Sequence, residues 1–248
     1  MKKLTIAIAS LAALVSVPAI AADMPAKARP APMVAPAPYN WTGFYLGFQS
    51  GGAISEVNWD YVPPGGVQTD HIGSGGLIGG TIGLNYQAGS WVWGIEGDYS
   101  YANIRGSINC PNNDFRCESE LQSFGTIRGR LGYAVGPMLF YATGGAAVGH
   151  LEMSTDNLAG VAVPPSGTRR NSVSDTQWGW TAGVGFEYAA MSSPLTWKIE
   201  WLYFDLGEER YGDLGAGDFA DIHYRGNLIR TGLNYRFNWA PAPVVARY

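Results

Sequence analysis

Nine ionisable side chains stand at regular spacings in a chain otherwise sparing of charge: Glu96 and Asp98, Arg128 and Arg130, Glu187, Lys198 and Glu200, Arg230 and Arg236. Neighbouring carboxylates can do general acid–base work when they converge on a reacting group. A spacing of two has another meaning in an extended chain, because it sets both side chains on one face of a strand. The pairs then form a charged stripe and pair structurally. His71, His150 and His223 are the other candidates, since neutral imidazole is a common metal ligand and two or three converging could hold an ion. The sequence carries no G-x-S-x-G nucleophile elbow, and the GSGGLIGG run from Gly73 does not fit the dinucleotide fingerprint. No enzyme activity is expected.

The elements that must hold these residues are strands. Eight segments of about ten residues or more begin near Trp41, Gly76, Trp91, Leu121, Met138, Gln177, Leu195 and Ile229, and each alternates apolar or aromatic residues with small or polar ones. Gln87 to Ser90, Gly136-Pro137 and Met191 to Pro194 read as tight turns. The connections around residues 54–74, 106–120, 152–176 and 207–223 read as long. Antiparallel neighbours put all tight turns at one end and all long loops at the other. The fold expected is an all-β, eight-stranded antiparallel up-and-down transmembrane barrel over residues 39–237.

Alternation alone also suits a soluble barrel filled by its aromatic face. That face includes Trp91, Trp93, Trp178, Trp180, Trp197 and Trp201, and eight strands leave too narrow an interior for so much indole. With 34 glycines, 14 tyrosines, 9 tryptophans and only 15% charged residues, the chain is better suited to lipid. Trp and Tyr gather at segment ends, as membrane girdles do. An Arg or Lys turned toward mid-bilayer costs roughly 2–4 kcal/mol, so the nine charges are expected to point inward and to fix the register.

The ends of the chain agree with export. Residues 1–21 have the form of a signal peptide, with Lys2 and Lys3 before an apolar run and a small-residue site at Ala19-Ile20-Ala21. Its removal takes the formal charge from −4 to −6, which argues against nucleic acid as a partner. Residues 22–38, rich in Pro and Ala, read as a periplasmic linker, and residues 238–248 as a short tail. Cys110 and Cys117 flank a Pro-Asn-Asn-Asp stretch, with no His or further Cys near in sequence. After export they are expected to form a disulfide rather than a metal pair or a reactive thiol.

The last segment, Arg230-x-Gly232-x-x-Tyr235-x-Phe237, resembles the polar-x-Gly-x-x-aromatic-x-aromatic signal of bacterial outer-membrane barrels. NWTGFYLGFQSGG from Asn40, YATGGAAVG from Tyr141 and GWTAGVGFEY from Gly179 resemble the small outer-membrane surface antigens and haemin-binding proteins of Gram-negative bacteria. These are commonly labelled porin-family and are related to the barrel domain of outer membrane protein A. The resemblance implies insertion by the barrel assembly machinery, contact with lipid and lipopolysaccharide, and a structural, surface-exposed role. It also implies two alternatives: haem or a small ligand at an outer mouth lined by His71, His150 and His223, or narrow passage of small solutes. The acidic stretch with Glu208, Glu209, Asp213, Asp218 and Asp221 reads as a solvated loop able to share divalent cations with lipopolysaccharide phosphates. Oligomeric state is not legible in these residues.

Overall fold

A computed structural model describes residues 39–62, 68–110, 115–157, 170–190, 193–212 and 219–237. It contains eight strands: β1 (Gly43–Val62), β2 (Gln68–Ala88), β3 (Trp91–Asn109), β4 (Phe115–Val135), β5 (Met138–Asn157), β6 (Arg170–Ala189), β7 (Leu195–Gly212) and β8 (Phe219–Phe237). Each pairs antiparallel with the next, and β8 closes on β1 from Phe44 opposite Phe237 to Val62 opposite Phe219. Closure leaves no unpaired edge, the condition a strand must meet in hydrocarbon. The leader, linker and tail expected at 1–21, 22–38 and 238–248 lie outside the described residues.

Two of the tight turns are made by Gly89-Ser90 and Gly136-Pro137, between the pairs Ala88–Trp91 and Val135–Met138. Gly89 and Gly136 have φ of 63° and 59°. A two-residue hairpin needs positive φ at its first position, which glycine adopts without steric cost.

The strands run 18 to 21 residues. A tilted strand needs only about 9–11 to cross hydrocarbon, so the barrel stands well clear of the membrane on the side away from these turns. This corrects the expectation of long connections. Much of 54–74, 106–120, 152–176 and 207–223 is strand: β1 runs on to Val62 and β2 begins at Gln68, leaving only 63–67 between them.

The reason is an inversion of polarity along each strand. On β3 the outward residues Trp91, Trp93, Ile95, Tyr99 and Tyr101 are exposed, while Glu96 and Asp98 are buried. Farther along, outward Asn103, Arg105 and Ser107 are exposed and Ala102 and Ile104 are buried. On β8, outward Phe237, Tyr235, Leu233 and Ile229 give way to Asn227, Arg225 and His223, and inward Arg236 and Arg230 give way to Leu228, Tyr224 and Ile222. Within lipid the barrel is apolar outside and polar inside; above it the wall is that of a water-soluble barrel.

The upper interior is an apolar core. Val57, Trp59, Ile104, Leu121, Phe124, Leu151, Met153, Phe204, Ile222 and Leu228 are all within 1% of complete burial. The ring of Phe204 lies 5.0 Å from that of Phe124 and 6.2 Å from that of Tyr224. Such side chains each contribute roughly 1.5–3 kcal/mol when buried. The pairing of β4 slips between Leu121 and Ser123. That bulge changes which residues face inward, from Cys117, Ser119 and Leu121 to Phe124, Thr126 and Arg128, so both polarities are served by one strand.

Ile95 sits midway along the β3 belt and Asn103 beyond its upper tyrosines. Equilibrium unfolding in lipid vesicles is expected to show Ile95→Arg losing about 2–4 kcal/mol, with Asn103→Arg changing stability by no more than about 0.5 kcal/mol.

Candidate functional site

Below the apolar core, the membrane-level lumen collects the nine charges. Register does much of the placing: Glu96 faces Arg128 across β3 and β4, Glu200 faces Arg230 across β7 and β8, and Glu187 faces Lys198 across β6 and β7. The bonds that form also cross the lumen. Arg128 donates to Glu96 at 2.5 Å, Asp98 at 3.1 Å and Glu200 at 2.7 Å. Arg230 donates to Asp98 at 2.8 Å and to Glu200 at 2.7 Å. From β7, Lys198 reaches both oxygens of Glu96 at 3.1 Å.

Nearer the tight turns, Arg130 pairs with Glu187, which also accepts from Thr196 and Asn234. The Tyr45 hydroxyl donates to Glu96 at 2.7 Å and accepts from Arg130 at 3.2 Å, joining the two groups. The Arg130 guanidinium lies 3.7 Å from the centre of the Tyr141 ring. Room for these rings is cut by glycine: a Cβ on Gly83 would come within 2.2 Å of the Tyr45 ring, and one on Gly185 within 2.3 Å of Tyr141.

All four carboxylates are thus held by cations or hydroxyls within the lumen. What this arrangement does chemically is neutralise charge in a water-poor space, where an unpaired ion costs several kcal/mol. Arg236 is the exception. It lies against Trp41 and makes no hydrogen bond or close ion pair to a carboxylate among the described residues, Glu187 acting on it only at longer range.

The three histidines are not brought together. His71 points inward, with Nε2 2.7 Å from Ser119 Oγ, beneath Trp59. Outside the barrel, His150 is 3.2 Å from Thr176, and His223 is 2.9 Å from Asp205. The alternation already separates them, since His71 lies opposite Val57, an inward position, and His223 opposite Asn58, an outward one. Among the described residues, no three His, Cys, Asp or Glu side chains are grouped to hold a metal.

Cys110 and Cys117 are joined as a disulfide, with Cα atoms 5.2 Å apart, and both are buried in the apolar core. Of the acidic stretch, Glu208 and Glu209 are exposed and Asp221 takes two bonds from Arg210, while Asp213 and Asp218 lie outside the described residues. In the final strand, Tyr235 and Phe237 face outward with rings 4.9 Å apart, Gly232 packs against the Phe48 carbonyl, and Arg230 is in the ion network. Sequence reasoning missed the apolar core; its signal was the return of alternation with opposite sense in segments such as Ala102 to Ile108.

Comparison with known proteins assigns the architecture. The profile of the outer membrane protein beta-barrel domain matches residues 7–237. The chain belongs to this outer-membrane barrel family. It is 32% identical over 246 residues to the 31 kDa outer-membrane immunogenic protein of Brucella melitensis biotype 1, covering 94% of this chain and 99% of that one. To the 22 kDa outer membrane protein of Rhizobium leguminosarum bv. viciae it is 30% identical over 198 residues, 80% and 79% of the two chains. Among solved structures it is similar to the outer membrane protein OprG of Pseudomonas aeruginosa, at 13% identity, with 79% of this chain and 97% of that one aligned and a TM-score of 0.41. The protein is accordingly an outer-membrane barrel, with lipid and lipopolysaccharide as its surroundings.

Removing one partner of a buried ion pair leaves the others uncompensated. In this family member, Arg128→Met removes the donor that Glu96, Asp98 and Glu200 share, leaving Lys198 and Arg230 as their remaining cations, and is expected to cost about 3–5 kcal/mol in chemical unfolding of the refolded barrel. A pH prediction concerns His71, which lies above the lipid belt. Burial holds its imidazole below the ordinary value, against the opposite pull of Asp70. The unfolded chain therefore takes up a proton below about pH 6.5 that the folded one refuses. Stability is full above that pH and is lost as pH falls toward the lowered folded value. Denaturant titrations at pH 7.5 and pH 5 are expected to show a smaller acid loss for His71→Gln than for the wild type.

Proposed function

We propose that the protein is a structural and surface-exposed component of the outer membrane, a barrel whose lumen is closed to solutes. The observation that carries this reading is the presence of two closures in series. One is a plane of paired charges at membrane level, bonded across the lumen through Arg128, Arg230, Lys198 and Arg130. The other is the apolar core above it, centred on Phe124, Phe204 and Leu228. Eight strands leave an interior that side chains alone can fill. Passage of a hydrated solute would require both tiers to rearrange, which weighs against the porin-like alternative.

The extramembrane sleeve supports the surface role. Arg105, Glu118, Glu120, Glu152 and Ser154 line an outer-wall depression of about 370 Å³ above the Tyr99 and Tyr101 belt, and Arg105 donates to Glu120 at 2.8 Å. Brucella relatives named as outer-membrane immunogenic proteins fit a chain that presents such a wall and its loops to the exterior. At the opposite end, the Arg230 to Phe237 pattern in the last strand supports recognition by the barrel assembly machinery. Haem binding by the histidines has no geometric support in their separate directions.

Planar-bilayer recording on the refolded protein decides between closure and passage: no discrete conductance steps are expected, and reproducible steps overturn the closed lumen. Orientation is checked by Arg105→Cys on intact cells, which is expected to react with a membrane-impermeant maleimide, whereas Gly89→Cys at a tight turn is expected to react only after lysis.

A further inference from the structure

The membrane-level lumen holds four carboxylates, Glu96, Asp98, Glu187 and Glu200, against five cations. Arg128, Arg130, Lys198 and Arg230 each take one or more of the carboxylates, so the surplus charge falls on Arg236 at the tight-turn end of β8. Its side chain is nearly buried, with 2% of the residue exposed. One Nη2 hydrogen is given to the Trp41 carbonyl oxygen, while Nε and Nη1 have no acceptor among the described residues. A guanidinium offers two edges of paired donors. Whichever Nη2 hydrogen Trp41 takes, the opposite edge keeps both of its own.

Aromatic rings frame this edge. The guanidinium carbon is 4.9 Å from the centre of the Trp41 ring, 5.9 Å from Tyr45 and 6.0 Å from Tyr39. Other buried polar atoms at the same end also lack partners: Trp41 Nε1, Tyr39 Oη and the side-chain amide of Asn85. Asn85 lies opposite Gly43 and Arg236 opposite Tyr45, so both border the start of β1. Trp41 and Thr42 are tied to Gln87 through bonds of 2.6 and 3.0 Å, whereas Tyr39 is only half-buried.

We propose that the periplasmic mouth of the barrel is a binding site for a carboxylate, which Arg236 holds behind the Tyr39 and Trp41 rings. The charge favours this class of ligand: one singly charged, planar group neutralises a surplus of one, where a phosphate dianion reverses it. Burying a cation with no carboxylate in bonding reach is costly, and flanking rings and the more distant Glu187 offset only part of that cost. A ligand carboxylate completes the pairing that the chain completes for its other four cations.

The test uses the full barrel, refolded in detergent with 15N-labelled arginine. The Arg236 Nε–H resonance is identified by its loss in Arg236→Lys or, if that variant does not refold, by its nuclear Overhauser contact to the Trp41 ring. Sodium acetate is expected to shift this resonance saturably, beyond sodium chloride at equal ionic strength, with Arg128, Arg130 and Arg230 unmoved. Tyr39→Ala, which lies outside the strands, is expected to change the half-saturating acetate concentration at least threefold. A resonance that is unmoved or follows ionic strength alone overturns the site, as does a Tyr39→Ala curve identical to wild type. Inorganic phosphate saturating at the same concentration as acetate overturns the assignment to carboxylates.

Discussion

Everything inside this barrel follows from the narrowness of an eight-stranded tube. Bulk water cannot fill it, so each inward side chain must be paired with another polar group or packed against an apolar one. The chain applies both solutions at different heights. Arg128, bonded to Glu96, Asp98 and Glu200, is the centre of the first. Phe204, between Phe124 and Tyr224, is the centre of the second. Outside, the order reverses, because lipid requires an apolar wall where the interior is ionic and water accepts a polar wall where the interior is apolar. The change of solvent along the strand is written on both faces at once.

The ion network contributes more to specificity than to net stability. Desolvation of its members offsets much of their attraction, so a buried network of this kind is weak evidence for a large stabilisation. Its effect on register is strong. Sliding β4 against β3 by one residue separates Glu96 from Arg128 and turns one strand's charges toward lipid. The glycines at 83 and 185 act in the same direction, since Tyr45 and Tyr141 fit only where a neighbouring strand lacks a Cβ. Charge pairing and ring packing therefore select the same alignment.

The membrane-level part of this plan was legible in the sequence because alternation there has one sense throughout. Trp91, Trp93, Tyr99 and Tyr101 mark the outer face and Glu96 and Asp98 the inner one, with no other period competing. The upper half reads as loops in the sequence for a physical reason. Once the sense inverts, Asn103, Arg105 and Ser107 look like turn residues when alternation is sought with apolar side chains outward, although Ala102, Ile104 and Ile108 keep the same period of two. The bulge at Gln122 blurred it further by shifting parity within β4. Pairing across the lumen was not legible in detail: that Lys198 reaches Glu96 on β3, while its direct neighbour Glu187 is taken by Arg130, depends on side-chain reach through three dimensions.

The same connectivity decides where movement is left to the molecule. Bonds across the lumen tie β3, β4, β6, β7 and β8 to one another, so none of these strands can shift at membrane level without breaking contacts to several others. Above, the disulfide between Cys110 and Cys117 fastens the end of β3 to the start of β4 within the apolar core. Outward sleeve residues such as Arg105 and Glu120 pair with one another and take no part in the lumen network, so the sleeve wall can vary without disturbing the pairing below.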